Sequence, residues 1–354
     1  MALTSSNGFD RATVTPESDV KPLIPVEQQR WATWMKPPSL AEHLFGTDLA
    51  VLRAVWPGAT GSVLLDLHSA ASRNALRHAT ILITGWGIPP LSDSDLEAAP
   101  DLRFILHAGG QASSVVPASA WDRGILVANA GLSNAVPVAE YTVAMIVLAN
   151  KSALRARQLY RGRRTRIDRE ETFPESGNTG RVVGVVGASR IGRMVIERLA
   201  AFDLSVEVFD PYVPPEEITR LGARSVPLDE LLASSDVVTL HPPLNSSTVG
   251  MIGREQLALL RDGASLINTS RGAIIDQNAL VDELQSGRLT AILDVTEPDV
   301  LPSDSPLYDL DNVFLTPHIA GSMGHEIGRV GRQIAGELRR ISNGLDPQYL
   351  EPRP

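Results

Sequence analysis

The sequence contains no cysteine, few aromatic residues and no long hydrophobic run. The absence of cysteine excludes disulfide bonds, thiolate catalysis and zinc sites with cysteine ligands, and we predict no metal site. The longest strongly apolar run, Tyr141 to Ala149, is less than half of the ~20 residues that cross a bilayer. Charged residues also interrupt the N-terminal stretch where a signal peptide would have its apolar core. These absences predict no membrane partner and a cytoplasmic location.

Outside one basic segment of the chain, negative charge outweighs positive charge. The formal net charge is −9, yet residues 151–171 hold eight basic and only three acidic side chains. Nucleic-acid binders usually carry a basic face over a whole domain, with aromatic side chains for stacking. One arginine-rich helix end on an acidic body therefore favours a solvated surface over a phosphate-binding patch. We expect no nucleic-acid partner.

Short apolar strands alternate with helices along most of the chain, which is typical of an α/β protein. The strand candidates are 79–86, 102–107 and 125–128 in a first region, and 182–186, 205–209, 237–240, 265–268, 291–293 and 313–316 in a second. Near-continuous apolar strands separated by helices predict parallel sheets covered on both faces. At roughly 150 residues per domain the length favours two domains. Residues 1–20 have the composition of a flexible arm, and a long helix over 136–159 could connect the domains.

A glycine-rich turn follows the first strand of the second region. Residues 181–192 read RVVGVVGASRIG, and Asp210 ends the next strand eighteen residues after Gly192. This order of strand, turn, helix, strand and acid is typical of a dinucleotide-binding site, in which pyrophosphate meets a helix N-terminus and the acid binds ribose hydroxyls. Ser189 stands where the motif usually has its second glycine. Asp210 favours NAD over NADP, because a carboxylate repels a 2′-phosphate and no basic residue follows to receive one.

Three polar elements follow later strands of the same region. They are Arg271 in INTSRGAIID, the acids Asp294 and Asp299 in LDVTEPDVL, and His318 in LTPHIAGS. Ligands of open parallel sheets bind at the carboxyl ends of the strands, so these loops should converge on the cofactor. An arginine, a carboxylate and an imidazole can together hold an anion, polarise an oxygen and move a proton.

Together these motifs resemble the D-isomer-specific 2-hydroxyacid dehydrogenase family. The resemblance runs from about Ala79 to Gly336 and is carried by NAVPVAEYT, LHPPLNSST, NTSRG, LDV and TPHIAG. It implies two Rossmann-like domains with parallel sheets flanked by helices and an active site in the interdomain cleft. It also implies a discontinuous substrate domain, residues 21–134 and 319–354, an NAD-binding domain, residues 135–318, and a homodimer.

The resemblance implies a role for each polar residue. Arg271 would bind the substrate carboxylate and polarise its 2-oxo group, and His318 would be the general acid/base. Asp299 stands at the position of the glutamate that orients this histidine in the family, whereas Glu297 is out of register. Asp294 matches the acid beside the nicotinamide carboxamide. The expected cofactor contacts are Gly187, Ser189, Arg190, Ile191, Gly192, Asp210, His241, Pro242, Thr269, Ser270, Asp294 and Gly321.

One loop departs from the family pattern. Where members often read AGVGVDN, residues 108–114 read AGGQASS. We expect the backbone amides of Gly109, Gly110 and Gln111 to reach the substrate carboxylate. Trp86, after the preceding strand, is either an apolar wall of the site or a structural residue. Because the side chains of this loop differ, the resemblance does not identify the substrate.

The implied activity is hydride transfer between NAD and a small 2-hydroxy acid or 2-oxo acid. Two alternatives remain at the level of sequence. One is a relative that acts on formate or phosphite, to which neither the acid at position 299 nor the altered loop points. The other is a nucleotide-sensing scaffold or corepressor with little or no turnover, a role that the same fold supports. Retention of Arg271, an acid and His318 favours the enzyme.

Overall fold

The computed structural model describes residues 29–35, 40, 44 and 60–354, and the chain divides into two compact units. The first unit ends at Asn129 and resumes at Gly331–Pro354; the second is Ala130–Val330. The arm predicted over residues 1–20 lies outside the described residues. The sequence predicts an NAD-binding domain over residues 135–318, which is shorter at both ends than the second unit of the structure. The stretch after His318 stays with the second unit because its backbone is hydrogen-bonded there.

The first unit contains a five-stranded parallel sheet with the order β2-β1-β3-β4-β5. β3 and β4 are central and buried along their whole length, as the apolar runs predict. The described elements of this unit are β1 Arg30–Trp34, β2 Thr60–Leu64, α1 Ala70–Arg77, β3 Ile81–Gly85, α2 Asp93–Glu97, β4 Phe104–Ala108, α3 Ser119–Asp122 and β5 Leu126–Asn129.

The second unit contains a seven-stranded parallel sheet with the order β12-β11-β10-β9-β6-β7-β8. β6, β7 and β8 follow one another towards one edge of the sheet, and β9 to β12 follow one another towards the other edge. Open α/β sheets bind ligands at such a switch point, here between β6 and β9. The elements are α4 Gly131–Asn150, α5 Ala153–Arg163, α6 Arg169–Thr172, β6 Val182–Val186, α7 Arg190–Leu199, β7 Ser205–Phe209, α8 Pro215–Arg220, β8 Arg224–Ser225, α9 Leu228–Ser234, β9 Val237–Leu240, α10 Arg254–Leu259, β10 Ser265–Asn268, α11 Gln277–Gln285, β11 Thr290–Leu293 and β12 Val313–Leu315. A last helix, α12, spans Ile327–Ser342 across the unit boundary.

Helices cover both faces of the second sheet, which confirms the predicted fold class. Successive strand residues point to opposite faces. Val186 and Val238 therefore belong to one buried apolar cluster, while Val185 and Val237 belong to another. Both clusters also contain helix residues, so neither face of the sheet is left open.

The helix predicted over 136–159 is in fact two helices, α4 and α5. Ser152 adopts a left-handed φ of 48° between them, and its hydroxyl is hydrogen-bonded to that of Ser176 at 2.8 Å. The N–H of Gly177 donates to the carbonyl of Asn150 at 2.7 Å, so the loop after α6 closes the end of α4. α5, which carries much of the basic segment, buries none of its residues.

By length and composition α4 could cross a membrane. It is the one described helix that meets this test. Its residues Ala139, Val143 and Ile146 are buried in the same apolar cluster as Val183 and Val185 of β6. A helix packed on a sheet in this way has the burial of a core helix.

Candidate active site

The glycine-rich turn joins β6 to α7 and is closed tightly on its neighbours. Gly187 has a φ of 93°, and a Cβ there would lie 2.8 Å from the backbone nitrogen of Pro242. A side chain is therefore excluded both by conformation and by space. A Cβ on Gly192 would collide with the carbonyl oxygen of Gly187. Both matching glycines of the motif are required by the backbone itself.

Ser189, the departure from the motif, is the N-cap of α7. Its Oγ accepts a hydrogen bond from the N–H of Gly192 at 3.4 Å. Serine is among the preferred N-cap residues, because its oxygen satisfies an amide that the helix leaves unpaired. The substitution therefore stabilises the N-terminus of a ten-residue helix, whose partial positive charge suits a phosphate.

Asp210 follows β7 and is half-buried beside the turn. Its Oδ2 accepts a hydrogen bond from the N–H of Ala188 at 2.8 Å. Its Oδ1 accepts from the N–H groups of Tyr212 at 2.8 Å and Val213 at 3.2 Å. A carboxylate has about four acceptor positions, so these bonds leave Oδ2 one position for a ribose hydroxyl. Asp210 both holds the turn and can contact a nucleotide.

His241 lies beneath the same turn. Its side chain is 3% exposed, and burial lowers the pKa of its imidazole to about 3, so the ring is neutral. Nε2 is hydrogen-bonded to the hydroxyl of Thr239 at 3.0 Å. Nδ1 is buried and has no partner among the described residues. Such an atom is unusual in a native protein, and beside a helix N-terminus, a glycine turn and an acid it fits a nucleotide site.

The other predicted cofactor contacts lie at or near this edge of the sheet. Arg190 is exposed at the start of α7, whereas Ile191 packs against the apolar core. Thr269 is buried, with its hydroxyl bonded to that of Thr142 at 2.9 Å. The hydroxyl of Ser270 donates to the carbonyl of Pro242 at 2.8 Å and so joins the loops after β9 and β10.

Arg271, Asp299 and His318 come together after β10, β11 and β12. The Oδ1 of Asp299 lies 3.3 Å from the Nδ1 of His318, and the two side chains are 66% and 51% exposed. Desolvation lowers the pKa of the Arg271 guanidinium, and the nearby negative charge of Asp299 offsets this only in part. Asp299 therefore lies near both side chains. The loop of Glu297 is held instead through its backbone, which exchanges two hydrogen bonds with the side chain of Gln277.

A glycine brings the arginine loop against the carboxylate loop. A Cβ on Gly272 would collide with the carbonyl group of Thr296, so the two backbones touch only because this residue has no side chain. Asn268 fixes the arginine loop from the other side, since its Nδ2 donates to the carbonyl of Arg271 at 2.8 Å. The guanidinium also donates to the carbonyl of Ser270 at 2.7 Å.

Asp294 holds the loop that carries His318, a contact that the sequence analysis missed. Its side chain is 1% exposed, and its Oδ1 accepts from the hydroxyl of Thr316 at 2.6 Å and the N–H of Ile319 at 2.8 Å. Its Oδ2 accepts from the N–H of Ala320 at 2.8 Å. His318 has a left-handed φ of 55°, which few residues other than glycine adopt, and its own N–H donates to the carbonyl of Asp294 at 3.0 Å. Asp294 thus fixes the backbone that aims the imidazole.

Helix α4 supports the same loop. The hydroxyl of Tyr141 is hydrogen-bonded to that of Thr316 at 2.9 Å, and burial raises the pKa of the tyrosine. The N–H of Ser322 donates to the Oδ1 of Asn134 at 2.9 Å. Gly321 lies between these contacts, and a Cβ there would be 3.1 Å from the same Asn134 oxygen. The loop around His318 is therefore fixed at both ends.

In the first unit, the loop after β4 presents backbone amides. The N–H groups of Gly109, Gly110 and Gln111 make no hydrogen bond within the described part of the chain. His107 lies under the loop, because a Cβ on Gly109 would collide with its Nε2. Burial lowers the pKa of His107 to about 4, although the charge of Glu351 opposes this, and its Nδ1 is hydrogen-bonded to Thr84 at 3.0 Å. Consecutive unpaired amides form a site for an anion.

Trp86 is the remaining residue that the sequence analysis placed near the substrate. It follows β3 and is partly buried. Both the apolar-wall and the structural interpretation are compatible with this position.

Comparison with known proteins identifies the family. Residues 143–320 match the model of the D-isomer specific 2-hydroxyacid dehydrogenase, NAD binding domain. The chain is 33% identical to a glyoxylate reductase of Korarchaeum cryptofilum over 263 residues, 74% of this chain and 79% of that protein. It is 35% identical to a D-3-phosphoglycerate dehydrogenase of Archaeoglobus fulgidus over 71% of this chain and 47% of that protein. The chain spans about half the length of the D-3-phosphoglycerate dehydrogenases that it matches.

Solved structures show the same fold. The TT0316 protein from Thermus thermophilus is 28% identical, with a TM-score of 0.74, over 91% of this chain and 99% of that one. A D-lactate dehydrogenase from Aquifex aeolicus, complexed with NAD and lactic acid, is 26% identical, with a TM-score of 0.71, over 88% and 96%. The chain therefore belongs to the D-isomer specific 2-hydroxyacid dehydrogenase family, and residues 143–320 carry its NAD-binding domain.

Proposed function

We propose that the chain is an NAD-dependent oxidoreductase that interconverts a small 2-oxo acid and its 2-hydroxy acid. The observation that carries the proposal is the meeting of Arg271, Asp299 and His318 at the carboxyl edge of an NAD-binding sheet. Two relatives are named glyoxylate reductase and D-lactate dehydrogenase, after a 2-oxo acid and a 2-hydroxy acid.

The second unit holds the cofactor through its turn and its acid. NAD, when bound, supplies the nicotinamide carbon that gives or takes the hydride. The N-terminus of α7 and the amides of the glycine turn bind the pyrophosphate, and the free acceptor position of Asp210 binds a ribose hydroxyl. Asp210 selects NAD, because its carboxylate repels the 2′-phosphate of NADP. Calorimetric titration with NADH and NADPH tests this selection, with Asp210→Ala as the matched variant.

Arg271 and His318 act on the substrate. The guanidinium of Arg271 binds the carboxylate and polarises the 2-oxo group, where negative charge develops during reduction. The Nε2 of His318 donates a proton to that oxygen, and it takes the proton back in the oxidative direction. The Oδ1 of Asp299, 3.3 Å from Nδ1, orients the ring so that Nε2 faces the substrate.

The remaining polar groups bind and orient. Asp294 holds the loop of His318, so we propose that it positions the acid/base in addition to any contact with the nicotinamide carboxamide. The amides of Gly109, Gly110 and Gln111 bind the substrate carboxylate, and Trp86 gives the substrate an apolar neighbour. The proposed partner is a small-molecule acid rather than a nucleic acid or a membrane.

Location and assembly are part of the proposal. We propose a cytoplasmic homodimer, which rests on the family membership. Light scattering of the purified protein tests the dimer, and a monomer at micromolar concentration would contradict it.

A panel of 2-oxo acids tests the activity. NADH oxidation is followed by absorbance with glyoxylate, pyruvate, hydroxypyruvate and longer 2-oxo acids, for the wild type and for His318→Ala. Turnover that the variant loses supports the dehydrogenase. Tight NADH binding without turnover of any member would instead support the nucleotide-sensing scaffold or corepressor.

A further inference from the structure

The C-terminal segment runs along the edge of the first sheet beside the substrate loop. Leu350 forms an antiparallel bridge with Ala128 of β5. The N–H of Asn129 donates to the carbonyl of Tyr349 at 3.1 Å, and the N–H of Glu351 donates to the carbonyl of Val127 at 2.8 Å. These bonds add a short antiparallel segment to the sheet beside β5 and fix the backbone of Glu351.

The side chain of Glu351 reaches from this edge into the loop after β4. It is 9% exposed, and its Oε2 accepts from the N–H of Ala112 at 2.6 Å and the Nδ2 of Asn129 at 2.8 Å. Its Oε1 accepts from the N–H of Ser113 at 2.9 Å. Hydrogen bonds to a carboxylate are about twice as strong as neutral ones, and two bonds to successive amides fix a direction as well as a distance.

Five consecutive amides of this loop are therefore divided into two sets. Those of Ala112 and Ser113 are taken by Glu351, while those of Gly109, Gly110 and Gln111 have no described partner. A Cβ on Gly109 would collide with the ring of His107, so this ring packs against one end of the loop, and Glu351 anchors the other end. The open amides lie between two fixed points, although glycines alone would leave them free to turn.

We propose that Glu351 is a positioning residue for substrate binding. Its carboxylate holds Ala112 and Ser113 so that the three open amides stay aimed at the carboxylate of a 2-oxo acid. The inference rests on the proposed function, because it assigns that substrate to the loop. It adds a residue from the far end of the chain, 239 positions from Ala112, to the residues that determine substrate affinity.

The proposal predicts a specific kinetic signature. The loop grips a part of the substrate that does not react, so its ordering should stabilise the bound substrate and the transition state about equally. Loss of such uniform binding raises KM and leaves kcat nearly unchanged. The loss of one oriented hydrogen bond to a charged group corresponds to about a tenfold change in affinity.

Glu337 of α12 provides a matched control. It is 2% exposed, and its Oε2 accepts from the N–H of Gln348 at 2.6 Å, so it anchors the same C-terminal segment without a described contact to the loop. Burial raises the pKa of its carboxyl group. Glu337→Gln therefore perturbs the segment by the same chemical change as Glu351→Gln.

The experiment compares kcat and KM for the best 2-oxo acid of the panel at saturating NADH. The proteins are the wild type, Glu351→Gln, Glu351→Asp and Glu337→Gln. We expect Glu351→Gln to raise KM about tenfold with kcat within about threefold, since the amide places an NH2 donor where one of the two N–H groups now finds an acceptor oxygen. Glu351→Asp keeps the charge but is one methylene shorter, so its KM should lie between that of the wild type and that of Glu351→Gln. Glu337→Gln should keep the wild-type KM.

Four results would overturn the inference. An unchanged KM in Glu351→Gln would do so and leave the proposed function intact. Equal increases in KM in Glu351→Gln and Glu337→Gln would show a general effect of the segment. If Glu351→Gln does not fold, the aspartate variant decides, and a wild-type KM in it contradicts the role. Absence of turnover in the wild type would overturn the proposed function and this inference together.

Discussion

In the proposed function, the two units provide polar groups for a ligand by different means. In the second unit the groups are side chains, Arg271, Asp299 and His318, at the ends of neighbouring strands. In the first unit they are backbone amides at the end of β4. The activity of the second set depends on residue identity, whereas that of the first depends on the shape of the loop. In the second unit, substitution of a site residue itself should therefore reduce activity most. In the first unit, substitution of a residue that supports the loop should have the larger effect.

The units are alike in how their loops are supported. Asp294 accepts hydrogen bonds from the N–H groups of Ile319 and Ala320, next to His318. Glu351 accepts them from Ala112 and Ser113, next to the open amides. In each case a buried carboxylate binds two successive amides and fixes a loop. Each unit thus supports the loop that we propose faces the ligand with an anion of its own.

The largest expected effect is that of the acid/base itself. His318→Ala should lower kcat by ~10²–10⁴, the usual contribution of a positioned proton donor. NADH binding should be unchanged, because the turn and Asp210 are untouched. Steady-state kinetics with calorimetric titration of NADH measures both. A variant with near-normal kcat would remove His318 from the chemistry.

Arg271→Ala should have the next largest effect. Loss of one preorganised donor at the developing charge costs ~10²–10³ in turnover. Loss of the charged anchor should also raise KM, which distinguishes this variant from His318→Ala. Lysine restores the charge but not the planar, two-pronged geometry, so Arg271→Lys should recover activity only in part. Full recovery by lysine would show that the geometry of the guanidinium is not used.

Among its described residues each unit also contains a buried neutral histidine, and the two rings should destabilise the fold in acid. The folded-state pKa is about 4 for His107 and about 3 for His241, below the ordinary 6.5. Between the folded-state pKa and 6.5 only the unfolded chain binds the proton. The contribution of each neutral ring to the free energy of unfolding is therefore fully present above about pH 6.5 and is lost as the pH decreases towards 4. Each pKa unit between the folded and the unfolded chain corresponds to about 1.4 kcal/mol. The free energy of unfolding should therefore decrease by a few kcal/mol in acid.

Urea unfolding at pH 7.5 and pH 5 measures this loss. His107→Gln should weaken the pH dependence of the first unit and leave that of the second unit unchanged. If the two units unfold separately, the effect belongs to one transition only. Equal stability at both pH values in the wild type would contradict the buried neutral state of these rings.

The smallest effect should come from the exposed pair of Asp299 and His318. Asp299→Asn should lower kcat only by a small factor in steady-state kinetics, since the pair is exposed and screened by solvent. Asp299→Glu should retain activity, and Glu297→Gln should leave kcat unchanged. A lower kcat in the Glu297 variant alone would show that the other carboxylate orients the ring.

The sequence predicts the fold where local signals are strong. The apolar runs of β3, β4, β5, β6 and β9 are bounded by turns, and the motifs that mark the strand ends identify Arg271 and His318. β1 and β2 were not predicted, because RWATW and TGSVL carry too few apolar residues to stand out. The break at Ser152 was missed since it depends on a contact with Ser176.

Supporting contacts are harder to predict than reacting groups. Glu351 carries no motif, and its partner Ala112 lies 239 positions away. Asp294 does stand in a motif, yet its contacts with Thr316 and Ile319 cross from β11 to the loop after β12, which only the sheet order brings together. The loop after β4 offers backbone amides, so no side chain in the sequence indicates its role.

Transfer of deuterium from labelled NADH tests the central claim most directly. The protein is incubated with NADH carrying deuterium at both hydrogen positions of nicotinamide C4 and with the best 2-oxo acid of the panel, and the product is examined by mass spectrometry and chiral chromatography. The account predicts one deuterium at C2 of a D-2-hydroxy acid, with the product lost in His318→Ala. A product without deuterium, or no product from any 2-oxo acid despite NADH binding, would contradict it.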